Sequence, residues 1–190
     1  GQDVHSMTAA KIFGISPEDV TADQRRIAKT ANFGILYGIS AFGLSQRLHI
    51  GRAEAKKIIE DYFSNFPAIS SYIEDTLASA REFGYVETLF GRRRYLPDIN
   101  SRNATVRALA ERTAINAPIQ GTSADIIKLA MVNVDRRIAE EDLQSRMVLQ
   151  IHDELLFDAL PEEVEKLERI VREEMENVIR LSIPLTVECN

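Results

Sequence analysis

The spacing of apolar residues changes along the chain. This change separates a first part that is helical from a later part that also contains strands. Up to about residue 83, apolar positions recur every three or four residues, as on amphipathic helices. Asp3 is placed to cap the first helix, Gly14 to stop it, and Thr21 with Gln24 to form a capping box before the second. Helices are predicted over about 4–13, 22–38, 41–48, 51–64 and 67–83.

Two later segments alternate between apolar and polar positions with period two. Residues 84–91 alternate between two glycines, so we expect a strand there, with residues 92–97 returning as a hairpin or loop. Residues 147–151 and 155–157 are apolar runs that flank His152-Asp153-Glu154. This second pair predicts a tight antiparallel hairpin with carboxylates at its tip.

The rest of the second half is predicted to be helical. A helix is expected over 103–116, with a kink or restart near Pro118 because proline lacks a backbone donor. Thr122 and Asp125 would cap the next helix, which runs to about Glu140.

An acidic helix over about 161–180 and a strand over 185–188 complete the pattern. Helices dominate the first part of the chain, and strands with adjacent helices follow. The fold class predicted is therefore α+β.

Composition indicates a globular protein of one or two domains. Hydrophobic residues make up 45% of the 190 positions, which is enough for a packed core. The chain has no apolar run of 18 residues, and its start does not resemble a signal peptide. The single cysteine, Cys189, cannot form an internal disulfide. We therefore expect a cytosolic protein without a membrane span.

The net charge of −6 is unevenly distributed. Residues 91–120 contain six arginines and two acids, whereas residues 121–190 contain eight basic and sixteen acidic side chains. A local basic patch governs phosphate binding, so the acidic total does not exclude a nucleic-acid partner.

One helical ribbon carries unusual chemistry. Arg25, Lys29 and Asn32 project to the same side of the predicted second helix, and Phe33 and Tyr37 continue the ribbon. Cations followed by aromatic rings suit a ligand with a polyanionic end and a flat end, such as a nucleoside triphosphate. Spacing alone also allows a solvated surface, because charge on an exposed helix face is common.

The arginines form the densest cationic segment of the chain. Arg92, Arg93 and Arg94 are adjacent, and Arg102 and Arg107 follow closely. They could form a solvated turn, but contact with a phosphate backbone is the better interpretation.

The hairpin tip is a second chemical site. Asp153 and Glu154 lie between apolar strands, where an ionised carboxylate loses hydration unless it has a partner or a role. A tip exposed to solvent would avoid that cost, and this alternative stays open on spacing alone.

Three motifs stand out along the chain: Arg25-x-x-x-Lys29-x-x-x-Phe33-x-x-x-Tyr37-Gly38, Arg112-x-x-x-Asn116-Ala-Pro-Ile-Gln120-Gly-Thr and Gln150-Ile-His152-Asp153-Glu154-Leu155. They resemble motifs of the family A DNA polymerases, the bacterial DNA polymerase I type, and the resemblance extends over essentially all 190 residues. It implies a mostly helical fingers subdomain over 1–115. The C-terminal part of an antiparallel-sheet palm with packed helices would follow over 116–190.

The resemblance implies a nucleotide site on the central helix. His5, Arg25 and Lys29 would hold the triphosphate, and Lys29 would also act catalytically by supplying a proton or charge to the pyrophosphate. Phe33 would pack on the sugar, and Tyr37 would stack near the template base.

The resemblance also implies contacts with primer-template DNA. Arg112, Asn116 and Gln120 would lie along the minor groove, where hydrogen-bond acceptors are nearly the same for every base pair. His152 would lie at the primer end. For Asn116 and Gln120, capping of a kinked backbone is the alternative.

A metal role is implied for the hairpin tip. Asp153 would bind catalytic Mg²⁺, with two ions expected in the complete polymerase. Glu154, its neighbour, would have a secondary role in catalysis.

The family's second metal-binding aspartate lies on an upstream palm strand, and no similar segment occurs here. The thumb and exonuclease domains of the family are also absent from this chain. We therefore expect a polymerase fragment, inactive in isolation. Two rival functions are a non-catalytic DNA-binding module and a metal-dependent phosphohydrolase that pairs Asp153 with Asp158 or Glu188.

The expected partners are primer-template DNA and deoxynucleoside triphosphates, with no membrane. The parent protein would be monomeric and cytoplasmic, associated with the bacterial nucleoid, and would serve replication and repair.

Overall fold

The computed structural model describes residues 3–190 and has an α+β fold, as the sequence predicts. The chain divides into two compact units, one ending at Pro118 and one beginning at Ile119. None of the helices within residues 3–190 combines the length and the apolar character that a membrane crossing requires.

The first unit begins with five helices whose bounds lie close to those predicted. The caps are those expected: the Asp3 carboxylate accepts from the backbone N–H groups of His5 and Ser6, and Gly14 ends the first helix in a left-handed conformation. Thr21 and Gln24 form the predicted capping box. The helices are α1 (Val4–Phe13), α2 (Ala22–Leu36), α3 (Ala41–Leu48), α4 (Arg52–Asn65) and α5 (Pro67–Phe83).

Two buried clusters hold the first unit together. One joins α2, α3 and α4, and the other lies beside α5 and the segment that follows it. Burying each large aliphatic side chain stabilises the unit by about 1.5–3 kcal/mol. The first cluster comprises Ala31, Ile35, Leu44, Leu48, Ala55, Ile58 and Tyr62. The second comprises Ala80, Val86, Leu96, Ile99, Ala110 and Ala114.

The predicted first hairpin is present but short. Strand β1 (Tyr85–Glu87) pairs antiparallel with β2 (Arg93–Tyr95). The strand expected over 84–91 ends early because Thr88 begins a turn: the N–H of Gly91 donates to the carbonyl of Thr88, 3.0 Å away.

Helix α6 (Ala104–Glu140) contradicts one expectation. It runs through Pro118 without restarting, so Thr122 and Asp125 lie inside the helix and do not cap a new one. An interior proline costs about 3 kcal/mol. Buried side chains on both sides outweigh that cost: Ala114 and Ile115 precede Pro118, and Ile127, Ala130, Val134 and Ile138 follow it.

The second unit contains the expected second hairpin and one further helix. Strand β3 (Arg146–Ile151) pairs antiparallel with β4 (Glu154–Asp158), with an irregularity between Met147 and Leu149. The core of this unit packs α7 (Val164–Glu176) against the second half of α6, through Val134, Ile138, Leu167 and Val171.

The C-terminal segment corrects two predictions. Helix α7 ends at Glu176 rather than near 180, and residues 185–188 form no strand. A strand needs a neighbouring strand, whereas here the backbone of Val187 bonds to side chains of α7. Its N–H donates to Glu176 Oε1 at 2.9 Å, and its carbonyl accepts from Arg172.

Candidate functional site

An ion pair joins α1 to α2 at the start of the predicted ribbon. Arg25 Nε donates to Asp3 Oδ2 at 2.7 Å, and Arg25 Nη2 donates to Asp3 Oδ1 at 3.2 Å. The guanidinium holds the pKa of Asp3 well below its usual range, and the carboxylate raises the pKa of Arg25. The same carboxylate caps α1, so one side chain fixes both the start of α1 and the Arg25 side chain.

A second link between the helices runs through Asn32. Its amide nitrogen lies 3.1 Å from His5 Nδ1 and 3.1 Å from Thr8 Oγ1. The Thr8 hydroxyl donates to the Val4 carbonyl at 2.8 Å, so its oxygen is free to accept from Asn32. An amide nitrogen can only donate, and His5 Nδ1 must therefore accept. This bond assigns the proton of the neutral imidazole to Nε2.

The structure brings His5 beside Phe33 at this junction, and Arg25 meets α1 about two turns earlier on α2, through Asp3. The rings of His5 and Phe33 have centroids 5.7 Å apart. Phe33 is 48% exposed, although its neighbour Asn32 is buried. Lys29 is also exposed on α2. Tyr37 directly follows the last residue of α2 and is 39% exposed. The α1–α2 junction thus offers two cations, an imidazole and an open aromatic face. We call His5, Arg25, Lys29 and Phe33 the α1–α2 cluster.

Two glycines shape the end of this ribbon. A Cβ at Gly34 would lie 2.9 Å from Ile39 Cγ2, closer than side chains tolerate. Gly38 has φ +69°, and a Cβ there would lie 3.6 Å from Arg112 Cγ. The turn after Tyr37 therefore packs closely against the Arg112 side chain.

The three adjacent arginines are exposed on the first hairpin. Arg93 has an internal role: its Nε donates to Glu87 Oε1 at 2.7 Å, and its guanidinium lies 4.4 Å from the centre of the Tyr85 ring. These contacts raise the pKa of Arg93 and fix its orientation. Contact of Arg92, Arg93 and Arg94 with a phosphate backbone stays a prediction.

The residues predicted for the minor groove all belong to α6. Arg112 and Gln120 are exposed, and Asn116 is partly buried. The amide oxygen of Asn116 is buried and has no hydrogen-bond partner among residues 3–190. Asn116 and Gln120 both lie in the interior of α6, which excludes the alternative that they cap a restarted helix.

The second hairpin turns through His152 and Asp153. His152 adopts φ +56°, and the Gln150 amide donates to the His152 carbonyl at 2.5 Å. Glu154 opens β4 opposite Ile151. His152, Asp153 and Glu154 are all exposed, so their side chains avoid the desolvation cost that burial would impose.

No group of three His, Cys, Asp or Glu side chains in the described part of the chain is arranged to hold a metal ion. The rival pairing of Asp153 with Asp158 is wrong. Asp158 lies at the opposite end of β4, paired with Arg146, about 16 Å along the strand at ~3.3 Å per residue. Two ligands of one ion lie within about 5 Å of each other.

Sequence reasoning missed three contributors to the α1–α2 cluster. The sequence predicts Asp3 as the cap of the first helix and Asn32 as a member of the ribbon on the second helix. It predicts no role for Thr8. Their partners are 22 to 27 residues away in sequence. Helical periodicity relates only residues on the same helix, and therefore cannot find such pairs.

Comparison with known proteins agrees with these motifs. The family model described as DNA polymerase family A matches residues 1–190. DNA polymerase I of Geobacillus stearothermophilus is 54% identical over 99% of this chain and 22% of its own length. DNA polymerase I of Pseudomonas aeruginosa is 51% identical over 98% of this chain and 20% of its own length. The chain thus spans about a fifth of the length of these curated relatives.

A solved structure is also similar. It is the POL domain of Pol1 from M. smegmatis in complex with DNA primer-template and dNTP. The identity is 48%, the TM-score is 0.92, and the match covers 97% of this chain and 33% of that one. From the match over all 190 residues and from these identities, we conclude that the chain belongs to DNA polymerase family A.

Proposed function

We propose that this chain is the fingers region and the C-terminal part of the palm of a DNA-directed DNA polymerase. The parent enzyme would add deoxynucleotides to a primer 3′-hydroxyl in bacterial DNA replication and repair, in the cytoplasm at the nucleoid. Family membership supports this assignment. The bound primer-template and dNTP of the M. smegmatis relative support the choice of partners.

The observation that carries the proposal is the α1–α2 cluster. Lys29 and Arg25 are exposed cations one helical turn apart, and the open Phe33 ring lies one turn beyond Lys29. Phosphates would bind at Arg25, Lys29 and the Nε2–H of His5, because these groups donate hydrogen bonds and are not buried. The nucleoside would lie over Phe33, and its base would extend toward Tyr37.

DNA would be held by α6 and the second hairpin. Arg112 and Gln120 present exposed donors, which suit minor-groove acceptors that vary little between base pairs. His152 would approach the primer end. Exposed Arg92 and Arg94 would contact the phosphate backbone, and Arg93 would do so while remaining paired with Glu87.

The polymerase family implies divalent metal ions, which would activate the primer hydroxyl and neutralise the pyrophosphate. Residues 3–190 do not by themselves form such a site. We propose Asp153 as one ligand in the complete polymerase, with Glu154 in a secondary role.

Single-nucleotide incorporation by the full-length polymerase tests the proposal. Lys29→Ala should raise KM for the nucleotide and lower kcat, because it removes a charge that faces the phosphates. Arg26→Ala is the matched control. Arg26 is exposed on the same helix and pairs with Asp23 at 2.6 Å. Its replacement by alanine should leave KM and kcat unchanged. Equal effects of the two substitutions would refute the nucleotide site.

A non-catalytic DNA-binding module predicts a different result. The full-length protein would then bind primer-template normally but would neither bind nor incorporate nucleotides, with or without Lys29.

A further inference from the structure

We propose that Asp3 is a positioning residue for nucleotide binding, because its carboxylate holds the Arg25 guanidinium in the orientation that receives a phosphate. This inference rests on the proposed nucleotide site and adds to it a residue on a different helix.

The Asp3 carboxylate accepts more bonds than a helix cap requires. It accepts from the backbone N–H groups of His5 and Ser6 at 3.3 and 3.2 Å, and from the Ser6 hydroxyl at 2.5 Å. The two bonds from Arg25 come in addition. Thr21 and Ser40 cap their helices with hydroxyl groups alone, so the pairing with an arginine of another helix is an added feature of Asp3.

The geometry leaves Arg25 able to bind a second anion. A guanidinium has five N–H donors. Asp3 engages one on Nε and one on Nη2, which leaves both donors of Nη1 and one of Nη2. Carboxylate and phosphate can therefore occupy different edges of the same guanidinium.

Two opposing effects of the carboxylate follow. It orders a side chain that is exposed and otherwise free to change rotamer, so less entropy is lost when the nucleotide binds. It also places a negative charge near the phosphates, but the guanidinium lies between them and the solvent screens the repulsion. We therefore expect the ordering effect to be the larger one while Arg25 is present.

Without Arg25 the balance reverses. The Asp3 carboxylate would then face the phosphates with no guanidinium between, and only the repulsion would remain. Removing the charge of Asp3 should thus weaken nucleotide binding when Arg25 is present and strengthen it when Arg25 is absent. A residue that merely stabilises α1 cannot produce this change of sign.

The test uses four forms of the full-length polymerase: the parent, Asp3→Asn, Arg25→Ala and the double variant. Asparagine is as good an N-cap as aspartate, so Asp3→Asn keeps the start of α1. Asp3→Ser, which also caps, serves as a second variant. The measurements are KM for the nucleotide and kcat in single-nucleotide incorporation, and Kd for primer-template.

Asp3→Asn should raise KM for the nucleotide about fivefold, with kcat and the primer-template Kd unchanged. In the Arg25→Ala background the same substitution should lower KM about twofold. Asp23→Asn is the matched control, because Asp23 pairs with Arg26 on the same helix and should leave KM unchanged.

An unchanged KM for Asp3→Asn and Asp3→Ser would overturn the inference, as would an equal rise in KM in both backgrounds. If Arg25→Ala itself left KM for the nucleotide unchanged, the nucleotide site would be wrong, and both the proposed function and the inference that rests on it would be overturned.

Discussion

The hydrogen bonds of the Asn32 side chain should stabilise the pairing of α1 with α2 by an amount that can be measured. Asn32→Leu keeps the volume of the side chain but removes both N–H donors, which deprives Thr8 Oγ1 and His5 Nδ1 of their partners. Each such bond contributes about 0.5–1.5 kcal/mol net. Asn32→Leu should therefore lower the local free energy of opening of α1 and α2 by about 1–3 kcal/mol.

A double-mutant cycle isolates the share that belongs to His5. Asn32→Leu, His5→Ala and the double variant should give a coupling free energy of about 0.5–1.5 kcal/mol. Hydrogen exchange of peptides from α1 and α2 is the suitable assay, because two compact units need not unfold in one step.

The control cycle replaces Asn32→Leu with Asn65→Leu. Asn65 donates to the Asp61 carbonyl of its own helix and to the Lys11 carbonyl of α1, but forms no hydrogen bond with His5. Its coupling with His5→Ala should be near zero. A coupling for Asn32 and His5 no larger than this control would refute the assigned bond, and with it the assignment of the proton to Nε2.

Three further predictions concern the isolated chain, Glu163 and Phe33. The purified 190-residue chain should not extend a primer, because Asp153 alone cannot hold two metal ions at the separation that the reaction requires, and templated extension would contradict this. Glu163 accepts from Ser145 and Gln144, which lowers its pKa, so its stabilisation is present above about pH 4.3 and is lost as the pH falls through its folded pKa. Glu163→Gln should make the loss of thermal stability below pH ~4.3 shallower, and parallel melting curves would argue against the role of this carboxylate. In the full-length polymerase, Phe33→Tyr should raise kcat/KM for dideoxynucleotides relative to deoxynucleotides, because a tyrosine hydroxyl can occupy the place of the missing 3′-hydroxyl. Each tenfold change in that ratio corresponds to a difference of ~1.4 kcal/mol in activation free energy between the two substrates. An unchanged ratio would mean that Phe33 does not face the sugar.

Local signals in the sequence were sufficient for most helices and both hairpins. The Asp3 cap, the Thr21–Gln24 capping box and the two hairpin turns each involve residues within a few positions of one another, and all are present. Sequence reasoning failed where distant packing decides the outcome. The burial of side chains on both sides of Pro118 keeps α6 continuous, which no local rule for proline anticipates.

In the candidate site, too, local features could be predicted from the sequence and contacts between distant residues could not. The ribbon of Arg25, Lys29 and Phe33 could be predicted because three residues on one helix obey its periodicity. The side chains that orient it could not, because Asp3 is 22 residues from Arg25 and His5 is 27 residues from Asn32. Only the pairing of α1 with α2 makes these contacts possible.

The two cations of the α1–α2 cluster are not equivalent, which has a consequence for phosphate binding. Arg25 is paired with Asp3, whereas Lys29 forms no ion pair with any residue from 3 to 190. Lys29 is therefore the cluster's uncompensated charge, and its effect on nucleotide binding should fall more steeply with salt. Arg25 would contribute the fixed orientation of its guanidinium more than net charge, because Asp3 neutralises it. In the proposed nucleotide site, precise orientation at one phosphate and strong attraction at the next would thus come from different residues, one helical turn apart on α2.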